Sequence, residues 1–359
     1  MTLKDIANLR LISQQITNSK FKSPKEIVGW MGAIQAQDFN MAKWAIGLRS
    51  NKATENDIDA AINAGEIIRT HVLRPTWHFV SADDIYWMLD LSAPGIRSSM
   101  NGRNRQLELT DKIFKKSFKI MEKVLKDENH LTRKELVSEI NKAKIATDDN
   151  RASHILMNAE LEGIICSGKM KGKQTTYALL NERIQPPKSL KKEEALGKLV
   201  KKYFESHGPA TLHDFVWWSG LSVTEAKSAM ETIKNNFISE KINSQEYWFP
   251  NSFSIPKKYA RSLYLIPAFD EFLISYKDRT AAIVREHHGK AFSNNGIFWP
   301  TIVVNGQVKG LWKREIKKDT LIIETNFFDP KSKVLRNDLK KEADRFGSFL
   351  NHKIKMISK

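Results

Sequence analysis

One order of local signals recurs along this chain: helix, turn, helix, strand, loop, strand. It is plainest from Leu131. Thr132 is a good N-cap for a helix over residues 133–140, with Glu135 at the capping-box position. After a turn at Thr147, Asp148 and Asp149, the residues Ala152, Ile155, Leu156, Ala159 and Leu161 keep helical spacing, and Gly163 stops the helix in a left-handed cap. Residues 164–166 read as a strand, 168–174 as a flexible basic loop and 175–179 as the return strand. That is the order of a winged helix, whose second helix can enter a major groove. The basic loop is its wing. Lys169, Lys171 and Lys173 have no acid between them and suit phosphate contacts that position a duplex without reading its sequence.

A second copy begins near Leu190. A helix ends at Gly208-Pro209, Thr211 caps 212–219, and Ser222 caps 223–235 with Glu225 at N3. Strands at 237–242 and 247–249 flank Asn243-Ser244, so this wing is short and uncharged. A third copy is expected at the N-terminus. There residues 3–16 form a helix, Ser23 caps 24–34, and Thr54 precedes 57–64 with Asp57 at N3 and Gly65 as the stop. Strands at 67–70 and 77–80 follow. From Ser262 the character turns to β, with Asn305-Gly306 as a hairpin signal, and a last amphipathic helix is expected over 332–350. The predicted fold class is α+β. The predicted organisation is three winged-helix modules (1–81, 82–187, 188–258) and a β-rich, barrel-like C-terminal domain (259–359).

Composition bounds the function. The chain has 359 residues and a formal net charge of +17. Such an excess favours a polyanionic partner, nucleic acid or an anionic membrane surface, although Lys-rich composition also serves solubility. Residues 97–134 carry 11 basic and 5 acidic side chains. Lys112, Lys115, Lys116, Lys119, Lys123 and Lys126 there fall on the wet side of an expected helix. The single cysteine, Cys166, rules out a disulfide framework and cysteine-based zinc or iron–sulfur sites. No apolar run approaches the roughly 18–20 residues that span a bilayer, and the N-terminus lacks a signal-peptide core. A cytoplasmic protein that needs no cofactor, metal, membrane or obligate protein partner is expected, acting as a monomer. These signals alone leave a DNA-binding scaffold and a protein-interaction scaffold both open.

Three stretches narrow the choice. Gly32-Ala33-Ile34-Gln35-Ala36-Gln37-Asp38 lies near the N-terminus, and Arg69-Thr70-His71-Val72-Leu73-Arg74-Pro75-Thr76-Trp77-His78 follows. The third runs from Leu265 through Asp270-Glu271 to Lys277-Asp278-Arg279, with Asn295-Gly296-Ile297-Phe298-Trp299-Pro300 and Gly310-Leu311-Trp312 beyond it. In this order they closely resemble the AlkZ/YcaQ family of winged-helix DNA glycosylases over nearly the whole chain. The resemblance implies three winged-helix modules in a C shape and a β-rich C-terminal domain, clasping duplex DNA that carries alkylated purines. It implies release of N-alkylated purines, with some members unhooking interstrand crosslinks. Gln35-Ala36-Gln37 matches the Gln-x-Gln branch, so the catalytic pair carries over to Gln35 and Gln37. Arg69, Arg74 and His78 become expected DNA contacts beside the three wing lysines. Pro75 and Trp77 depart from the Gly and Leu common in relatives.

The chemistry of such a pair is specific. Glycosidic cleavage passes through an oxocarbenium-like transition state and needs a water on the sugar. An amide cannot ionise, but it can orient that water and set its carbonyl against developing positive charge. This suffices when the base already leaves as a neutral species from a cationic, N7- or N3-alkylated purine. Asp38 is either an auxiliary base or the cap of the next element, and the cap is favoured. Asp270, Glu271, Lys277, Asp278 and Arg279 are expected to brace the fold. A regulator that keeps the fold without catalysis is the alternative.

Overall fold

The structure is a computed structural model that describes residues 1–329 and 336–358. Helix α1 (Leu3–Ser13) leads into α2 (Pro24–Met31), β1 (Ala33–Gln35), α3 (Phe39–Leu48), α4 (Glu55–Asn63), β2 (Ile67–His71) and β3 (Trp77–Ser81). Strands β1, β3 and β2 pair in that spatial order. After the long α5 (Ile85–Gln106) the pattern recurs: α6 (Asp111–Leu125), β4 (Leu131–Thr132), α7 (Arg133–Lys142), α8 (Arg151–Leu161), β5 (Ile165–Ser167) and β6 (Thr176–Leu179). Its sheet order, β4-β6-β5, is the same. Past the short α9 (Leu180–Arg183) come α10 (Lys192–His207), α11 (Leu212–Ser219), α12 (Val223–Glu231), β7 (Phe237–Ile242) and β8 (Gln245–Pro250). Here the first strand is reduced to a single bridge, Ala210 to Trp248. Each copy has the connectivity of a winged helix.

Several sequence expectations shift locally. The helix capped by Ser23 stops at Met31 rather than running to residue 34, because Gly32 takes φ +76° and turns the chain out into β1. Gln35 therefore ends a strand, and α3 is a helix the sequence reading did not foresee. Residues 97–106 complete the 22-residue α5. The capping boxes at Thr54, Thr132, Thr211 and Ser222 all form.

The C-terminal region holds β9 (Leu263–Ile266), α13 (Glu271–Ile274), α14 (His288–Ala291), β10 (Thr301–Val304), β11 (Gln307–Lys317), β12 (Thr320–Phe327), α15 (Arg336–Leu350) and β13 (Lys353–Ser358). The sheet order is β13-β12-β11-β10-β9, an open sheet with β9 and β13 on its edges. The expected start of the last helix, 332–335, lies outside the described residues.

The core is divided unevenly. Ile27, Trp44 and Phe79 of the first copy share one apolar cluster with Leu265, Trp312 and Phe346 of the C-terminal region. Trp44 is buried there and donates its indole N–H to the Leu265 carbonyl at 2.8 Å. Burying a large side chain of this kind contributes about 2–3 kcal/mol. A second cluster joins Ala33 and Ile68 of the first copy to α5, the third copy and Tyr276. The second copy instead has a core of its own, around Met121, Leu136, Ile155 and Ile165.

Candidate active site

The strand-to-helix junction is where the first copy departs from the second. In the second copy Thr132 both ends β4 and caps α7. In the first, β1 ends at Gln35 while the cap of α3 is Asp38. Ala36 and Gln37 are interposed. The Asp38 carboxylate accepts the Met41 N–H at 3.1 Å, so it serves as the cap.

Gln35 sits opposite His78 across the sheet and is only 6% exposed. Its N–H donates to Oε1 of Glu271 at 2.7 Å, and its side-chain oxygen accepts from Nη2 of Arg74 at 3.2 Å. Because a guanidinium can only donate, this contact fixes which end of the Gln35 amide faces it. Ala36 donates its N–H to the Trp77 carbonyl at 2.7 Å and accepts at its own carbonyl from Arg69 Nε at 3.0 Å. Gln37 follows, exposed to solvent.

The three residues expected as DNA contacts lie around this loop. Arg69 is half-buried, with its guanidinium 4.2 Å from the Trp77 ring centroid, and burial lowers its pKa. Arg74 sits in the turn between β2 and β3, where Leu73 has φ +61°. That turn docks on Gly220, whose φ is +71° and where an added Cβ would stand 2.3 Å from the Leu73 carbonyl oxygen. His78 is fully buried and donates from Nδ1 to the Thr76 carbonyl at 2.9 Å. Burial and the neighbouring Arg74 charge push its pKa down to about 3, so the ring is neutral. As placed, His78 offers no exposed atom to a duplex. Its neighbour His71 is also buried, paired with Glu160 of α8 and against the Trp77 ring.

Glu271 stands at the start of α13, fully buried. Its Oε2 accepts from the Trp218 indole at 3.2 Å and from the Ser275 hydroxyl, with His207 Nε2 3.8 Å away. Burial pulls its pKa upward, but His207, the Arg74 charge and the Ser275 hydroxyl outweigh it and hold the carboxyl at about 2. Sequence reasoning counted Glu271 as a brace of the fold and missed that it braces the Gln loop, 236 residues away. The neighbouring Asp270 holds Arg49 through two bonds of 2.8 and 2.9 Å.

The wing lysines lie elsewhere, all exposed. Lys171 pairs with Glu135 at 3.2 Å and Lys169 with Glu128 at 3.8 Å. Exposed pairs of this kind contribute about 0–1 kcal/mol and exchange readily for phosphates. The structure thus separates the sequence-derived residues into two groups. Gln35, Arg69, Arg74 and His78 meet at one buried junction that presents Gln37, while Lys169, Lys171 and Lys173 stand on a solvated wing.

The loop thus carries one clamped and one exposed glutamine, neither of which can ionise. Over residues 28–349 the chain matches the sequence profile of the family described as "DNA glycosylase AlkZ-like". The chain belongs to the AlkZ-like DNA glycosylase family. It is accordingly a hydrolase of N-glycosyl bonds. Among curated proteins it is similar to an interstrand DNA cross-link repair glycosylase of Streptomyces sahachiroi, at 22% identity over 325 residues and 84% of each chain. Among solved structures it is similar to the S. sahachiroi DNA glycosylase AlkZ, with a TM-score of 0.81 and 18% identity, covering 99% of this chain and 100% of that one. This likeness supports the fold.

Proposed function

We propose that this AlkZ-like glycosylase releases cationic N7- and N3-alkylated purines from duplex DNA by attack of a water held between Gln35 and Gln37. The observation that carries the reading is the exposed Gln37 next to a clamped Gln35, in a loop whose one carboxylate, Asp38, is spent as a helix cap. With no carboxylate free in the loop to act as a strong base, the site suits a base that needs no protonation to leave. The S. sahachiroi relative is named for interstrand crosslink repair. We extend that substrate to this chain, since a guanine tethered through N7 is the same cationic leaving group. Lys169, Lys171 and Lys173 then neutralise phosphates. For Arg69 and Arg74, expected from the sequence to touch DNA, we favour a role in holding the Gln loop, through the Ala36 carbonyl and the Gln35 amide.

The test is base release without added metal or nucleotide, from duplexes carrying 7-methylguanine, 3-methyladenine, an N7-guanine interstrand crosslink, or uracil. Release of the first three and not of uracil is expected. Removing both amides in a Gln35→Ala, Gln37→Ala double variant should cut the single-turnover rate by about 10³-fold. Undiminished release by the double variant would overturn the reading.

A further inference from the structure

A buried carboxylate is a costly way to satisfy one backbone N–H. β1 is an edge strand, so the outward N–H of Gln35 needs a partner. A serine or an amide would serve at far lower desolvation cost, since an ion taken out of water loses several kcal/mol unless it is well paired. Here the chain supplies a glutamate from another region and surrounds it with Trp218, Ser275 and His207. The same glutamine is gripped at its side chain by a cation, Arg74, so opposite charges hold its two polar ends.

We propose that Glu271 is a positioning residue for the Gln35–Gln37 pair. It locks the Gln35 main chain while Arg74 locks the side-chain oxygen, and its negative charge faces that of Arg74 across the same glutamine. Two consequences follow from this clamp. Gln35 cannot freely rotate its amide while Arg74 holds the oxygen, so the acceptor left to orient the water is the exposed Gln37 carbonyl, and the proton passes to solvent once the new sugar–oxygen bond has formed. The Glu271 charge also offsets that of Arg74, which would otherwise repel a cationic lesion. The proposal deepens the glycosylase reading and rests on it for its catalytic consequence, whereas the clamp itself stands on the geometry.

The experiment has two arms on the full-length protein. Glu271→Gln keeps the shape and an acceptor but removes the charge. Hydrogen exchange of the peptide spanning residues 33–38 should quicken about tenfold or more, because its outward N–H loses a charge-assisted bond. Single-turnover release of 7-methylguanine at saturating enzyme should fall ~10–100-fold, the range for losing a residue that orients a reactive group, with the duplex Kd within about twofold. If Glu271→Gln fails to fold, Ser275→Ala with Trp218→Phe frees the far oxygen of the carboxylate. That pair should slow release several-fold at unchanged Kd. Unaltered exchange in 33–38, or a loss confined to Kd at full single-turnover rate, would overturn the proposal. A wild-type protein that releases no base would defeat the glycosylase reading instead, and the exchange arm would still decide the clamp.

Discussion

The first and second copies share one connectivity and use it in opposite ways. In the second, the loop between its last two strands stands in solvent, and its lysines hold only exposed acids. In the first, the equivalent turn at residues 72–76 is docked against Gly220, and its arginine reaches inward to Gln35. The junction before the second helix differs too: none is inserted at Thr132, whereas Ala36 and Gln37 are inserted before Asp38. The second copy also keeps its own core, while the first shares both of its clusters with distant parts of the chain. One module thus presents a basic wing to solvent, and the other a loop that distant parts of the molecule hold in place. A wing can read out phosphates only if left exposed, and it can fix an active loop only if buried.

The sharpest way to break this contrast is to attack the inserted residues. Gln37→Ala should lower single-turnover base release by about 10²–10³-fold, the scale of one lost transition-state contact, while binding to undamaged duplex stays unchanged. A fluorescence-anisotropy titration beside the release assay checks both halves. A comparable loss in binding would make Gln37 a docking residue and merge the two roles.

The next prediction sets the two wings against each other. Arg74→Ala should act on rate, ~10–100-fold, with the duplex Kd nearly unchanged. The triple variant Lys169→Ala, Lys171→Ala, Lys173→Ala should do the reverse. Its rate at saturating protein should hold while its Kd rises, and the slope of log Kd against log salt should flatten by about two to three units. If Arg74→Ala flattens the salt slope instead, the first wing touches phosphates after all.

What the sequence made legible follows the same division. Local signals carried the caps at Thr54, Thr132, Thr211 and Ser222, because each capping box involves groups three residues apart. The exposed wing lysines were equally readable, since a run of cations in a glycine-bounded loop has few places to go but water. The Gln pair was readable only through resemblance. The surroundings of Gln35 were not readable, because Arg74 and Glu271 approach it from 39 and 236 residues away and no spacing rule links them. Arg69, Arg74 and His78 are expected DNA contacts by residue type and resemblance, and neither signal carries their burial or their partners within the chain. Arginine and histidine serve as well to pin a loop as to meet a phosphate, and only burial separates the two uses. Helix α3 escaped for a related reason. It is buried along most of its length and so carries little amphipathic pattern.

The dependence of the first copy on distant support gives a smaller, pH-linked effect. Glu342 of α15 is 6% exposed, with Arg345 Nη1 3.6 Å away, and Arg345 also bonds the carbonyls of Leu48 and Ser50 at the end of α3 at 2.6 and 3.0 Å. Burial raises the Glu342 pKa from 4.5 to about 7, against the pull of Arg345. Between those two values the folded chain keeps a proton that the unfolded chain has released. Stability from this group therefore falls as pH rises from about 4.5 to about 7 and levels off above it. Glu342→Gln removes the ionisation and should raise stability at pH 8 by on the order of 2 kcal/mol relative to wild type, with the difference vanishing near pH 4.5. Chemical denaturation across that range measures it. Hydrogen exchange shows where the effect falls: the peptide of α3 should gain protection at pH 8 while that of α8, inside the self-contained core, should not change. Equal gains in both would mean that the two copies unfold as one unit, and the division of labour drawn between them would be one of chemistry rather than of stability.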